Sequence, residues 1–230
     1  MNNTENSKND RREFLGSLAT GAAALGISTL GVAIPAGAAE WPQAQGDPDA
    51  WFNQIKGKHK MVFDVPRAHE IFPFAWPRVF LNSNVATGTP EKDCSIVVVL
   101  RHEAIGYAFE SKLWDKYKFG EMFKANDPAT KTASLRNPFS NPAPDEYKVP
   151  GVGAIAIGIN ELQASGVMFC VCNTAITKTV NVLAAKNNVD PAEVRKEFMS
   201  ALLPGIQLVP SGVWALGRAQ ERGCGYCFTG

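Results

Sequence analysis

Cys172 has the sequence context best suited to covalent chemistry. It closes the run Gly166-Val167-Met168-Phe169-Cys170-Val171-Cys172, and Asn173-Thr174-Ala175-Ile176 follow. The run reads as a short apolar strand that turns into a helix. Alternation along a strand puts Cys170 and Cys172 on one face, with only Cys172 at the carboxyl end. In an open parallel α/β sheet, that end is where ligands and reactive groups collect. Asn173 and Thr174 are good N-cap types. A thiol placed there faces the positive end of a helix dipole, which favours the nucleophilic thiolate form. The expectation is a reactive cysteine; the alternative is a small buried hydrophobe.

The other cysteines are Cys94, alone, and the pair Cys224-Gly225-Tyr226-Cys227. That C-x-x-C spacing invites comparison with a thioredoxin-type motif. Such motifs open a helix, whereas this one follows a helix and enters a strand, where the dipole acts the other way. It reads as a structural disulfide or as two unrelated thiols. A metal reading is also open. Cys170, Cys172, Cys224 and Cys227 form a four-thiolate set if the last strand approaches the strand of Cys172, suiting zinc, copper(I) or an iron–sulfur centre. No resident cofactor is otherwise indicated. A second ionisable group stands at Arg101-His102-Glu103, at the end of the apolar strand Cys94–Leu100. Arg101 or His102 would stabilise an anion on Cys172 if the two strands are neighbours; otherwise His102 is a solvated loop residue. Trp214 and Tyr226 read as packing residues. No Ser–His–Asp arrangement, phosphate-cradling glycine loop or paired catalytic carboxylates stands out.

These residues need elements to hold them. His59–Val65 and Cys94–Leu100 read as strands, the second apolar and β-branched throughout, as a strand covered on both faces must be. The segment from Ala68 to Asn84 is apolar at helical spacing but carries Pro73 and Pro77, which restrict helix to parts of it. Helical spacing continues through Ala108, Phe109, Leu113, Trp114 and Tyr117, and after a break through Gly120-Glu121-Met122-Phe123. Pro128, Pro138, Pro142, Pro144 and Pro150 then break every period, so residues 126–150 form an insert, read as a lid or an oligomer contact. Ile159–Ala164 and Thr174–Asn187 read as helices. Asp190-Pro191-Ala192-Glu193 opens another, with Asp as N-cap and Pro at the first position. Ile206–Pro210 is a strand, Ser211 caps a helix to Arg222, and Gly223–Phe228 is the last strand. Alternation of this kind predicts a three-layer α/β/α sandwich with a mostly parallel sheet.

Ahead of the domain, Asp10-Arg11-Arg12-Glu13-Phe14-Leu15-Gly16 fits a twin-arginine export motif. A Gly- and Ala-rich apolar run and the small-residue exit Ala36-Gly37-Ala38 complete a signal peptide over residues 1–38. The expectation is export to the periplasm or the outer cell surface, with no membrane span after cleavage. Residues 39–57 read as an irregular arm anchored by Trp41 and Trp51, and 58–230 as one α/β domain. The 23 Lys and Arg nearly cancel the 22 Asp and Glu, so no basic surface points to nucleic acid. Five cysteines are too few to staple a miniature fold, so a hydrophobic core must hold the domain.

Three stretches resemble the DsrE/DsrF-like family: Gly166-Val167-x-Phe169-x-Val171-Cys172-Asn173, Leu208-Val209-Pro210-Ser211-Gly212-Val213-Trp214, and Ala219-Gln220-x-x-Gly223-x-Gly225-Tyr226. The strand Ile96–Leu100 and Leu113-Trp114-x-Lys116-Tyr117 agree more loosely. The resemblance implies a sheet of about five strands and a homotrimer or homohexamer. It also implies a persulfide on Cys172, exchanged with a sulfur donor or acceptor protein or a small sulfur compound. Cys170, Cys224, Cys227 and the export signal lie outside the family pattern. Two further readings stand beside the sulfur carrier: a non-catalytic oligomeric binding or assembly protein, and a Cys-ligated metal protein.

Overall fold

The computed structural model describes residues 47–230. The expected signal peptide and Trp41 lie outside the described residues. In chain order the elements are helix α1 (Pro48–Phe52), strand β1 (His59–Val65), helix α2 (Phe72–Ala86), strand β2 (Cys94–Leu100), helices α3 (Ser111–Tyr117) and α4 (Phe119–Met122), a small hairpin of β3 (Lys148–Val149) and β4 (Gly153–Ala154), helix α5 (Ile159–Ala164), strand β5 (Met168–Cys172), helices α6 (Asn173–Asn187) and α7 (Pro191–Ser200), strand β6 (Ile206–Val209), helix α8 (Gly212–Glu221) and strand β7 (Gly225–Phe228). A 3-10 helix, His102–Ala108, follows β2. None of the described helices is long and apolar enough to cross a membrane.

Five strands form one parallel sheet in the order β6-β5-β2-β1-β7. The fold is the three-layer α/β/α sandwich that the alternation predicts. Central β2 is buried from Ser95 to Leu100, as a strand covered on both faces must be. Three successive crossovers, β1 to β2 to β5 to β6, step across the sheet one way. The last, β6 to β7, returns to the opposite edge. Right-handed crossovers stepping in opposite directions put their helices on opposite faces. The larger core cluster accordingly joins Phe74 of α2, Ile176 and Leu183 of α6 and Phe198 of α7 to one face. The smaller joins Ala215 and Leu216 of α8 and Phe52 of α1 to Val62, Val97 and Val99 on the other.

Three local expectations are corrected. The arm holds a short helix, α1, capped by Asp47, whose Oδ1 accepts from the Asp49 amide at 2.9 Å. Its buried anchor is Phe52, fully enclosed, with Trp51 packed edge-on against it at 4.9 Å. Next, α2 runs through Pro77 without a break. Pro73 sits in its first turn, where no backbone donor is needed. Buried Arg78 one residue on binds the carbonyl of Ala156 at 2.7 Å and Ser165 Oγ at 3.0 Å, holding the helix against the segment leading into β5. Last, the proline-rich insert, read as a lid or an oligomer contact, is tied into the core. Phe139 is fully buried and stacks on Phe74 at 4.2 Å. Asn137 Nδ2 donates to the carbonyls of Tyr107 and Phe109, both at 2.9 Å.

Candidate functional site

At the carboxyl edge, β5 exits into α6 on one face and β6 exits into α8 on the other. Neighbouring exits in opposite directions mark the crevice position where open α/β sheets usually take ligands; a cavity is found at the other edge of the sheet, at the strand starts, lined by Gly57, Cys94, Ser95, Gly166 and Met168. Cys172 lies at the crevice position. Phe169, Cys170 and Val171 are fully buried beneath it, and Cys172 itself is 6% exposed. Cys172 rather than Asn173 or Thr174 is the N-cap of α6. Its backbone is extended (φ -72°, ψ 110°) and its Sγ accepts the Ala175 amide at 3.3 Å. The sulfur therefore takes the place that a serine or aspartate oxygen normally takes at a helix start. The local change of direction also separates the two strand cysteines. Cys170 packs in the cluster under α8, whereas Cys172 packs with the larger cluster.

Arg101 comes to this edge because β2 pairs with β5, Leu100 opposite Val171. Its guanidinium forks onto Asp64 at the end of β1, Nε to Oδ1 at 2.6 Å and Nη2 to Oδ2 at 2.9 Å. Asp64 is 1% exposed, so this ion pair is buried on the carboxylate side. Tyr226 of β7 donates its hydroxyl to the same Oδ2 at 2.7 Å. The Asp64 carbonyl accepts from both the amide and the hydroxyl of Thr229, at 3.0 and 2.9 Å. The hydrogen bond to Asp64 pushes Arg101 above its already high ordinary value; partial burial opposes this, and the charges of Asp64, Tyr226 and Cys172 add to it. Arg101 is a permanent cation at the carboxyl edge where β5 also ends, one residue beyond the pair Leu100 and Val171. Burial, then the bond to Asp64, pushes the Tyr226 phenol up, so at neutral pH it remains a donor.

The floor under Arg101 is Gly212, the first residue of α8. A Cβ there would sit 2.5 Å from Arg101 Cβ and 2.9 Å from its Cδ. Only glycine lets the arginine stem pass so close. Ser211 caps the same helix, its Oγ accepting the Trp214 amide at 3.2 Å. Beyond Cys172, Asn173 Oδ1 accepts from Arg195 Nη2 of α7 at 2.6 Å, which puts a second cation at the rim.

Of the residues singled out in the sequence, Cys172 and Arg101 stand at the ends of neighbouring strands on one edge of the sheet. His102 is not part of the cluster: it is exposed, with a left-handed backbone (φ 51°). The four-thiolate set is not assembled. β5 and β7 are separated by β2 and β1, so Cys170 and Cys224 stand about 14 Å apart at normal strand spacing. Among the described residues no group of His, Cys, Asp or Glu is gathered to hold a metal ion. Cys224 and Cys227 are both free thiols on opposite sides of the sheet, one in the cluster under α8 and the other against the larger core. Asp64 and Tyr226 are additions. Asp64 carried a signal, a carboxylate inside the apolar run Val62-Phe63-Asp64-Val65. The partner that explains it is 37 residues away.

No protein-family model and no curated protein matches this chain. Among solved structures, a protein of unknown function from Methanobacterium thermoautotrophicum is similar at 15% identity and a TM-score of 0.39, with 74% of this chain and 99% of that chain covered.

Proposed function

We propose that this protein is a DsrE/DsrF-like sulfur carrier in which Cys172 bears the transferred sulfur. The observation that carries the reading is the position of the Cys172 sulfur. It caps α6, accepts the Ala175 amide and stands at a strand end beside the one that carries Arg101, between two helix starts. Each of these neighbours stabilises negative charge on sulfur.

The transfer is a displacement. The Cys172 thiolate attacks the outer, sulfane sulfur of a donor. A sulfur–sulfur bond forms, and the donor's own bond to that sulfur breaks, its electron pair leaving with the donor as thiolate or sulfite. The product on the protein is the anion Cys172–S–S⁻, so Arg101 faces a negative charge before and after the step. An acceptor thiolate removes the outer sulfur by the same displacement. No oxidant or reductant is consumed.

The proposal includes the address and the assembly. Residues 1–38 direct export by the twin-arginine route, and the mature chain works in the periplasm as a homotrimer or homohexamer. One observation favours the second reading, a binding or assembly protein without chemistry. Edge strand β7 exposes Tyr226 at 48% and Phe228 at 51%, apolar surface of the kind that subunit contacts cover.

Intact mass spectrometry tests the carrier. The folded protein is exposed to polysulfide or thiosulfate, and then to reductant. A reductant-reversible gain of one or more sulfur atoms, mapped to Cys172 and absent in Cys172→Ser, is expected. No gain, with Cys172 inert to alkylation in the folded state, leaves assembly as the function.

A further inference from the structure

A cation helps an anionic sulfur only if it is held in place, and Arg101 is held by residues that belong to none of the Cys172 elements. Asp64 takes two of its nitrogens, Nε and Nη2. Tyr226 and Thr229, both at the chain's far end, hold Asp64 in turn, through its carboxylate and its carbonyl. Gly212 lets the stem lie flat on the start of α8. The remaining nitrogen, Nη1, takes no partner among the described residues and is not one of the buried polar atoms left without one. It is therefore open to solvent and to a ligand.

A buried ion pair is a poor source of stability, because desolvation costs about as much as the attraction provides. A two-toothed fork is good at fixing direction. We propose that Asp64 is a positioning residue, which with Tyr226 and Gly212 locks Arg101 so that Nη1 serves an anion at Cys172. This rests on the reading of Cys172 as the reactive residue of the crevice. Asp64 itself does not touch the reacting sulfur. Removing the negative charge of Asp64 therefore weakens the site's attraction for anions.

The test compares two alkylating reagents at Cys172, iodoacetate (anionic) and iodoacetamide (neutral), of similar size and with the same leaving group. The ratio of their rates reads the local field rather than the thiol's accessibility. Wild-type protein sets the upper value and Arg101→Gln the floor. Asp64→Asn keeps the shape but offers Arg101 only one acceptor. Its ratio is expected to fall about fivefold, the scale of one unit charge across a partly solvated edge. Gly212→Ala, which pushes the stem away, is expected to fall in the same direction. An unchanged or higher ratio in Asp64→Asn overturns the proposal, because a carboxylate that merely neutralises Arg101 gives a rise. Should Asp64→Asn not fold, Tyr226→Phe carries the test at a half-exposed position, and an unchanged ratio there overturns the proposal. Sulfur loading on the same proteins separates the two claims. Wild type that takes no sulfur, while the ratio falls as described, sinks the carrier and keeps the positioning role. A folded wild type whose Cys172 accepts neither reagent sinks both.

Discussion

Thr174 donates twice to the carbonyl of Pro210, from its amide at 3.2 Å and its hydroxyl at 3.0 Å. This ties the first turn of α6 to the turn that opens α8, across the crevice that holds Cys172. Thr174→Val keeps the branched shape and the amide bond but deletes the hydroxyl bond. The site is exposed, so a loss of about 0.5–1 kcal/mol is expected in urea unfolding. A slower sulfur uptake at Cys172 should accompany it. An unchanged urea midpoint would show that the hydroxyl bond contributes nothing.

Four of the cysteines, Cys94, Cys170, Cys172 and Cys227, should react in an order that exposure alone does not give. Cys94 and Cys227 are partly exposed, whereas Cys172 is buried to 6%. Yet burial and then the charges of Asp93 and Glu91 push the Cys94 thiol up. Burial does the same to Cys227. Cys172 alone has a helix amide and a nearby guanidinium. With a neutral alkylating reagent at neutral pH, Cys172 is expected to label first and Cys94 and Cys227 more slowly. Cys170, whose thiol is pushed up by complete burial and then by Cys172, should label only on unfolding. Peptide mapping of a time course decides the order, and Cys94 labelling ahead of Cys172 refutes it.

What was legible in the sequence, and what was not, divides by range. The bounds of β2 follow from a short apolar run, and those of β1 and α5 from apolar residues set between turns. The starts of α7 and α8 follow from Asp190 and Ser211, each of which caps as its type requires. Cys172 could be singled out because strand, cap and helix are all local. The Asp64–Arg101–Tyr226 cluster could not be, because it depends on β1 lying between β2 and β7. Tyr226 is 162 residues from Asp64, and the order of elements along the chain does not say that the last strand returns to the side of the first. The four-thiolate site fails for the same reason, since pairing β7 with β1 carries Cys224 away from β5. His102 follows an apolar strand, which makes it a candidate by position, but it is exposed with a left-handed backbone and makes no bond to the cluster.

Alkaline pH should destabilise the protein through its core tyrosines. Burial pushes the phenols of Tyr107 and Tyr147 well above their ordinary range. A folded value above the unfolded one means that the folded state holds the proton more tightly. The associated stability is complete below the unfolded value of about 10 and is lost as the pH rises past it. The contribution of these two groups to the urea midpoint should be flat from neutral pH to about 9, then decline. Tyr107→Phe should reduce the alkaline decline. Ionisation of Tyr107 in the folded state near the free-tyrosine value, read from tyrosinate absorbance, would count against the argument.

The insert gives the largest expected loss. Asn137 is 1% exposed and its amide satisfies two buried carbonyls, Tyr107 and Phe109, around the 3-10 helix that follows β2. Asn137→Ala leaves both acceptors without a donor in a place water does not reach, a cost of about 1–3 kcal/mol for each. Phe139→Ala opens a cavity against Phe74, Tyr107 and Tyr147 and should cost about 3–5 kcal/mol. Both losses follow from an insert that is part of the core layer over β2 and β5. If the segment served only as a movable cover or a subunit contact, the isolated chain would tolerate both substitutions within about 0.5 kcal/mol, as surface positions do. Urea unfolding of the two variants at equal protein concentration distinguishes the cases.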